Sequence, residues 1–155
     1  MFEIVEATTA DQIAAARALF REYEADIQID LCFQSFQEEL DTLPGRYAPP
    51  RGTILLLVNG EEPVGCVALR PLEDDACEMK RLYVRPSARG TGAGRRLVEA
   101  IIREARDRRY RVMRLDTLPG KMDSAIALYR SLGFREISSY NANPYPGVKF
   151  FELTL

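Results

Sequence analysis

The stretch Arg89-Gly90-Thr91-Gly92-Ala93-Gly94 stands between a strand-like run, Cys77 to Pro86, and a helical run, Arg95 to Arg109. Strand, glycine turn and helix start in that order place the rest of the chain around them. Three alternate glycines permit positive φ and leave no Cβ in the way of a ligand approaching the backbone. The first amides of the helix have no partner inside it, and the helix dipole adds partial positive charge there. A phosphate satisfies both, so the stretch reads as a pyrophosphate site. No Gly-Lys-Ser/Thr is present, which excludes a P-loop, and Gly90 to Arg95 lacks the third glycine of G-x-G-x-x-G. No acidic residue closes a strand about 20 residues on, where the sequence reads Arg108-Arg109-Tyr110-Arg111, so a ribose-binding dinucleotide site is not expected.

On the amino-terminal side of this stretch, Phe2 to Glu6 alternates apolar and acidic residues as a half-buried strand does. Thr9 with Gln12 forms a capping-box signature ahead of Ile13, Ala16, Leu19, Phe20 and Tyr23 at helical spacing, and Ser35 with Glu38 repeats it before Phe36, Leu40 and Leu43. Three prolines and two glycines make 44–52 a loop. Thr53 to Val58 and Val64 to Leu69 form a hairpin through Asn59-Gly60, and a second turn at Glu73-Asp74-Asp75 leads into Cys77 to Val84. Beyond the glycines, Leu97, Val98, Ile101, Ile102 and Ala105 share one helical face. Val112 to Thr117 is then expected parallel to Cys77 to Val84, because a helix between strands is a crossover. Ala125 to Leu132 is the last helix, capped by Gly133, and Glu136 to Tyr140 and Val148 to Leu155 are two closing strands. The expected architecture is α/β (α+β): a mixed, mostly antiparallel sheet of about seven strands with helices on both faces.

Length and composition bound the rest. The 155 residues suit one domain, 1–155, and a net charge of −2 suggests neither disorder nor general nucleic-acid binding. Charge is unevenly placed: residues 1–45 are acidic, whereas 80–114 carry arginine after arginine around the glycine turn. No apolar run approaches the roughly 18 residues that span a membrane and no leader is evident, so a cytoplasmic protein is expected. Cys32, Cys66 and Cys77 show no C-x-x-C spacing, so no metal site or disulfide framework is expected and they read as small core residues. The chain contains no histidine, which excludes Ser-His and Cys-His nucleophile pairs.

Leu82-Tyr83-Val84-Arg85-Pro86, then Arg89-Gly90-Thr91-Gly92-Ala93-Gly94, then Ala125-Ile126-Ala127-Leu128-Tyr129-Arg130-Ser131-Leu132-Gly133-Phe134 together resemble the GNAT superfamily of N-acetyltransferases. The resemblance covers about Glu78 to Phe134 and implies acetyl-CoA as acyl donor. Its pantetheine arm would pair along Leu82, Tyr83 and Val84 as an added strand does, with Arg89 to Gly94 at its pyrophosphate. An amide of that strand could meet the oxyanion formed when an amine attacks the thioester. The resemblance also makes Tyr129 the acid that protonates the departing thiolate. A phenol of pKa about 10 serving a thiol of about 8.5 works uphill by about 2 kcal/mol. Asp116 and Glu78 are the candidate bases for an incoming ammonium group, directly or through water. One departure stands at Met122, where many members carry a cofactor-contacting asparagine.

The acceptor implied is a primary amine, either a small cation or a peptide amino terminus, drawn by the acidic first third and in particular by Glu22, Glu24 and Asp26. Tyr140, Asn141 and Tyr145 would stand on the opposite wall. Transfer is expected to be direct, in a ternary complex, and a homodimer is compatible with the reading. Two other classes stay open on the residues: a non-catalytic acyl-CoA sensor, which would bind without turnover, and a nucleic-acid binder using the arginine-rich segment. The second is disfavoured because those arginines have no accompanying pattern of stacking aromatics.

Overall fold

Alternate residues of the apolar run Ile54 to Leu57 go to opposite sides of one sheet. Ile54 and Leu56 join a core beneath the first helices, and Leu55 and Leu57 join a second core beneath the later ones. A continuous apolar run needs cover on both faces, and an interior strand supplies it. The computed structural model describes residues 1–28, 30–31, 35–73, 75–120 and 122–155. In chain order they form β1 (Phe2–Glu6), α1 (Ala10–Ile27), α2 (Phe36–Thr42), β2 (Thr53–Asn59), β3 (Glu62–Glu73), β4 (Ala76–Val84), α3 (Ala93–Asp107), β5 (Val112–Thr117), α4 (Asp123–Ser131), β6 (Arg135–Ile137) and β7 (Lys149–Thr154).

The seven strands make one sheet in the order β1-β2-β3-β4-β5-β7-β6. Every neighbouring pair is antiparallel except β4 and β5, the pair joined through α3. The mixed, mostly antiparallel sheet expected from the sequence is thus present. Helices α1 and α2 cover one face, over Leu56, Cys66, Ala68 and Tyr83; α3 and α4 cover the other, over Val67, Leu69, Met113 and Leu115. Cys66 and Cys77 are buried free thiols, as expected of core residues. Cys32, Asp74 and Lys121 lie outside the described residues. Among those described, no helix is long and apolar enough to cross a membrane.

Four local expectations are corrected. Thr9 and Gln12 do form a reciprocal capping box on α1, but Ser35 does not cap α2. Its φ of 55° and ψ of 45° are left-handed, so its hydroxyl makes no capping hydrogen bond; a capping side chain requires the extended conformation. The segment 44–52 is not loop throughout, since Gly45–Tyr47 is a turn of 3-10 helix that buries the Tyr47 ring edge-on to Phe20, centroids 6.0 Å apart. Only two of the three glycines have positive φ, Gly90 at 77° and Gly92 at 81°; Gly94 already lies inside α3. Finally, β6 ends at Ile137, so Tyr140 leaves the sheet and is free to reach the site described next.

Candidate active site

The parallel strands β4 and β5 pair only at Ala76↔Val112, Cys77↔Met113 and Glu78↔Arg114. Beyond that rung they part: β4 stays with β3 as far as Val84, and β5 stays with β7 through Thr117. A bulge explains the parting. Between the pairs Cys66↔Tyr83 and Ala68↔Lys80, the two residues Arg81 and Leu82 oppose Val67 alone, and Arg81 takes a φ of 63°. An extra residue bends its strand and breaks the ladder. The β4 backbone from Met79 to Val84 consequently has no β5 partner, which is the condition for another extended chain to lie beside it.

A cleft of about 520 Å³ opens along this free edge, lined by Leu82, Tyr83 and Val84, by Arg89 and the glycine turn, and by Met122, Ala125 and Leu128 across from them. Gly92 is the N-cap of α3 and no side chain caps that terminus, so the dipole and the first amides face the cleft uncompensated. A Cβ at Gly94 would point towards Leu128 Cδ2, 4.0 Å away, on the opposite wall. Arg89 folds back so that Nε donates to the Val84 carbonyl at 2.9 Å while its guanidinium lies over the Tyr83 ring. Of the nine residues expected to hold a coenzyme, eight line this cleft. Thr91 does not, because its hydroxyl donates to the Ala88 carbonyl at 2.5 Å.

Tyr129 is set by the end of α4. The Gly133 amide donates to the Arg130 carbonyl at 3.1 Å and the Phe134 amide to the Tyr129 carbonyl at 3.0 Å, the paired bonds of a Schellman motif that needs the positive φ of Gly133, here 99°. The same motif brings the rings of Tyr129 and Phe134 to 5.5 Å. Tyr129 is only 2% exposed and does not itself line the cleft, although Leu128 beside it does. Burial pushes its phenol far above the ordinary value, and the charges it senses are those of Tyr23 and Asp116.

On the α1/α2 side of the same rung lies a buried charge cluster. Glu78, 1% exposed, accepts from Arg70 Nε at 2.9 Å and from the Tyr140 hydroxyl at 2.6 Å. Asp116 stands 3.6 Å from Lys80 Nζ and accepts from Asn141 Nδ2 at 2.9 Å and Asn143 Nδ2 at 3.2 Å. Burial works to raise the Asp116 pKa, but Lys80 and the two amides together hold it below the usual carboxylate range. A carboxyl held below its usual range is a poor proton acceptor, which weakens Asp116 as a base. Tyr145 turns away, its hydroxyl donating to the Asp30 carbonyl at 2.9 Å. The acidic first third is not the open field expected of it. Glu22 accepts from Arg85 Nε and Nη2 at 2.8 and 2.7 Å, Asp26 pairs with Arg89 at 3.3 Å, and Glu24 accepts the Leu31 amide at 3.0 Å.

Sequence reading missed Arg81, Lys80, Tyr23 and Tyr47. Nothing in a basic residue within a strand pattern marks a bulge, and α1 meets β4 only through the tertiary fold. Against known proteins, residues 13–134 match the Acetyltransferase (GNAT) family. An uncharacterised N-acetyltransferase of Schizosaccharomyces pombe is 39% identical over 142 residues, 90% of this chain and 86% of the relative. A GNAT-family acetyltransferase of Staphylococcus aureus shares the fold with a TM-score of 0.81 at 20% identity over 99% of both chains. So does the PaiA N-acetyltransferase of Thermoplasma acidophilum, solved in complex with coenzyme A, with a TM-score of 0.77 at 15% identity over 100% of this chain and 99% of that one. The parted strands, the glycine turn and the Tyr129 helix thus lie inside a matched segment that spans most of the chain, which belongs to the GNAT family of acetyltransferases.

Proposed function

We propose that this chain, acting as one domain over 1–155, transfers an acetyl group from acetyl-CoA directly to a primary amine in a ternary complex. The observation that carries the reading is the parting of β4 from β5 beside the uncapped start of α3. The coenzyme A complex of the Thermoplasma neighbour, in the same fold, supports the choice of donor. Acetyl-CoA supplies the thioester. The free edge at Leu82, Tyr83 and Val84 aligns it, while Arg89, Gly90, Gly92, Ala93 and Gly94 hold its phosphates; Thr91 stabilises the turn through Ala88.

The amine enters from the α1/α2 side. A lysine-like amine is neutral in fewer than about one molecule in 10³ at pH 7, so it must give up a proton before it can attack. Glu78, at the last paired rung, takes that role, while Asp116 is held ionised by Lys80 and orders Asn141 and Asn143. The new C–N bond forms as the C–S bond breaks, and Tyr129 donates its hydroxyl hydrogen to the departing sulfur. A covalent acyl-cysteine route is disfavoured because burial pushes the Cys66 thiol up and lifts that of Cys77 to about 12, leaving both as unreactive thiols.

Calorimetric titration with acetyl-CoA, with NAD as control, tests the reading. Micromolar binding that Gly92→Val abolishes is the expected result, since a β-branched residue at a φ of 81° distorts the turn. Turnover of pooled amines, detected by mass spectrometry, then separates an enzyme from a sensor. If no acyl-CoA binds, the assignment fails.

A further inference from the structure

A second cavity, of about 290 Å³, lies on the α1/α2 side between α2 and the Gly45–Tyr47 turn, lined among others by Glu38, Thr42, Arg46, Tyr47 and Arg70. That volume sits at the small end of ligand pockets, which start near 300 Å³. Tyr47 is 2% exposed, and its hydroxyl is the only buried side-chain polar atom among the described residues without a hydrogen-bond partner. Buried polar groups are otherwise almost always paired; the Glu39 carboxylate, which acts on this phenol and lines the same cavity, does not close a hydrogen bond to it. Burial raises its phenol far above the ordinary value, which keeps the hydroxyl a donor. Arg70 directs Nε and Nη2 at Glu78 Oε1, at 2.9 and 2.8 Å, and its guanidinium lines the same cavity. One orphaned hydroxyl and one guanidinium therefore border one small cavity.

The charges around it say what kind of ligand fits. Arg70 is balanced by Glu78, Arg81 by Glu39 and Lys80 by Asp116. Glu38 and Arg46, which also line the cavity, carry opposite charges. A dication such as a diamine would bring uncompensated charge into this buried set, and a lone anion would do the same with opposite sign. A molecule carrying one ammonium and one carboxylate brings none. Arg70 and Glu78 are cross-strand partners, on strands about 4.8 Å apart. Arg70 thus links this cavity to Glu78, at the last paired rung of β4 and β5.

We propose that the acceptor is a zwitterion, a small amine that also bears a carboxylate, and that Tyr47 and Arg70 hold the carboxylate in this cavity. This rests on the acetyl-transfer reading above. The test follows coenzyme A release by the intact chain with saturating acetyl-CoA, comparing L-amino acids with their carboxamides, which match them in size but lack the negative charge. The acids should be preferred, and Tyr47→Phe, which removes one oxygen, should raise KM for the acids about tenfold or more with little change in kcat. KM for the carboxamides should move far less. Carboxamides turned over as well as acids by the wild type, or an equal loss on both in the variant, would overturn the proposal. Bound acetyl-CoA without turnover of any amino acid would also overturn it and leave the acetyl-transfer reading standing. Failure to bind acetyl-CoA at all would remove both.

Discussion

A proton leaves a phenol more readily in water than in a protein interior, and Tyr129 is in the interior. On ordinary values the transfer to a thiolate is uphill by about 2 kcal/mol, and burial of the phenol alone would widen that gap. The same desolvation acts on the sulfur, as the raised thiol of Cys77 illustrates. Of the roles proposed for Tyr129, hydrogen-bond donation to the departing thiolate, strengthened by the low dielectric, is compatible with both effects. Tyr129→Phe is expected to lower kcat by about 10² while leaving the acetyl-CoA Kd from calorimetry unchanged. Equal kcat in the variant would remove Tyr129 from the chemistry. Its place on the last helix was legible in the sequence from helical spacing and the Gly133 cap, whereas the role proposed for it came from the family resemblance. Tyr47 was not legible, since only the packing of α2 and the 3-10 turn shows that its hydroxyl has no partner.

At the scale of elements, the decisive irregularity is the bulge in β4. A non-glycine residue in the left-handed region costs about 1–3 kcal/mol and persists only when its surroundings enforce it. Arg81 is enforced by Glu39, which accepts from Nε at 2.9 Å and from Nη2 at 2.8 Å, and by the Phe36 ring under its guanidinium, with its carbon 5.1 Å from the ring centroid. Helix α2 thereby holds open the strands on which the cleft depends. Arg81→Met should destabilise the protein by about 3–5 kcal/mol in urea titration, because the Glu39 carboxylate is left buried and unpaired. Adding Glu39→Met should restore much of that stability. Acetyl-CoA affinity in the double variant then reports whether the bulge outlives its ion pair. Sequence pattern predicted β4 correctly as a strand, and the parallel pairing followed from the α3 crossover. The bulge escaped, because period-two alternation and residue type carry no trace of a residue inserted against a single partner.

For the whole molecule, the buried charges couple stability to pH. Asp116 has a folded pKa below its ordinary value, so its contribution is complete above about pH 4. It is lost as pH falls through the depressed folded value. Burial, only partly offset by Asp116, lowers Lys80, so the folded state gains stability as pH rises through its folded pKa towards the unfolded one. Thermal midpoints across pH should accordingly fall on the acid side. Asp116→Asn should flatten that acid limb and cost about 3–5 kcal/mol at neutral pH by leaving Lys80 unpaired. An unchanged acid limb would mean that other carboxylates, such as Glu22 on Arg85, dominate it.

The sequence by itself determined the element order, the hairpin of β2 and β3, the glycine turn ahead of α3 and the Gly133 cap of α4. Each of these is written in spacings of a few residues, where sterics and apolar periodicity act directly. The tertiary structure alone decided that β4 and β5 separate past Glu78, that Glu22 and Asp26 of α1 pair with arginines, and that Tyr47 and Arg70 border one cavity. Those outcomes depend on long-range register and on which charges are buried together. Neither is encoded in neighbouring residues; both are fixed when the sheet closes and each buried group must find a partner.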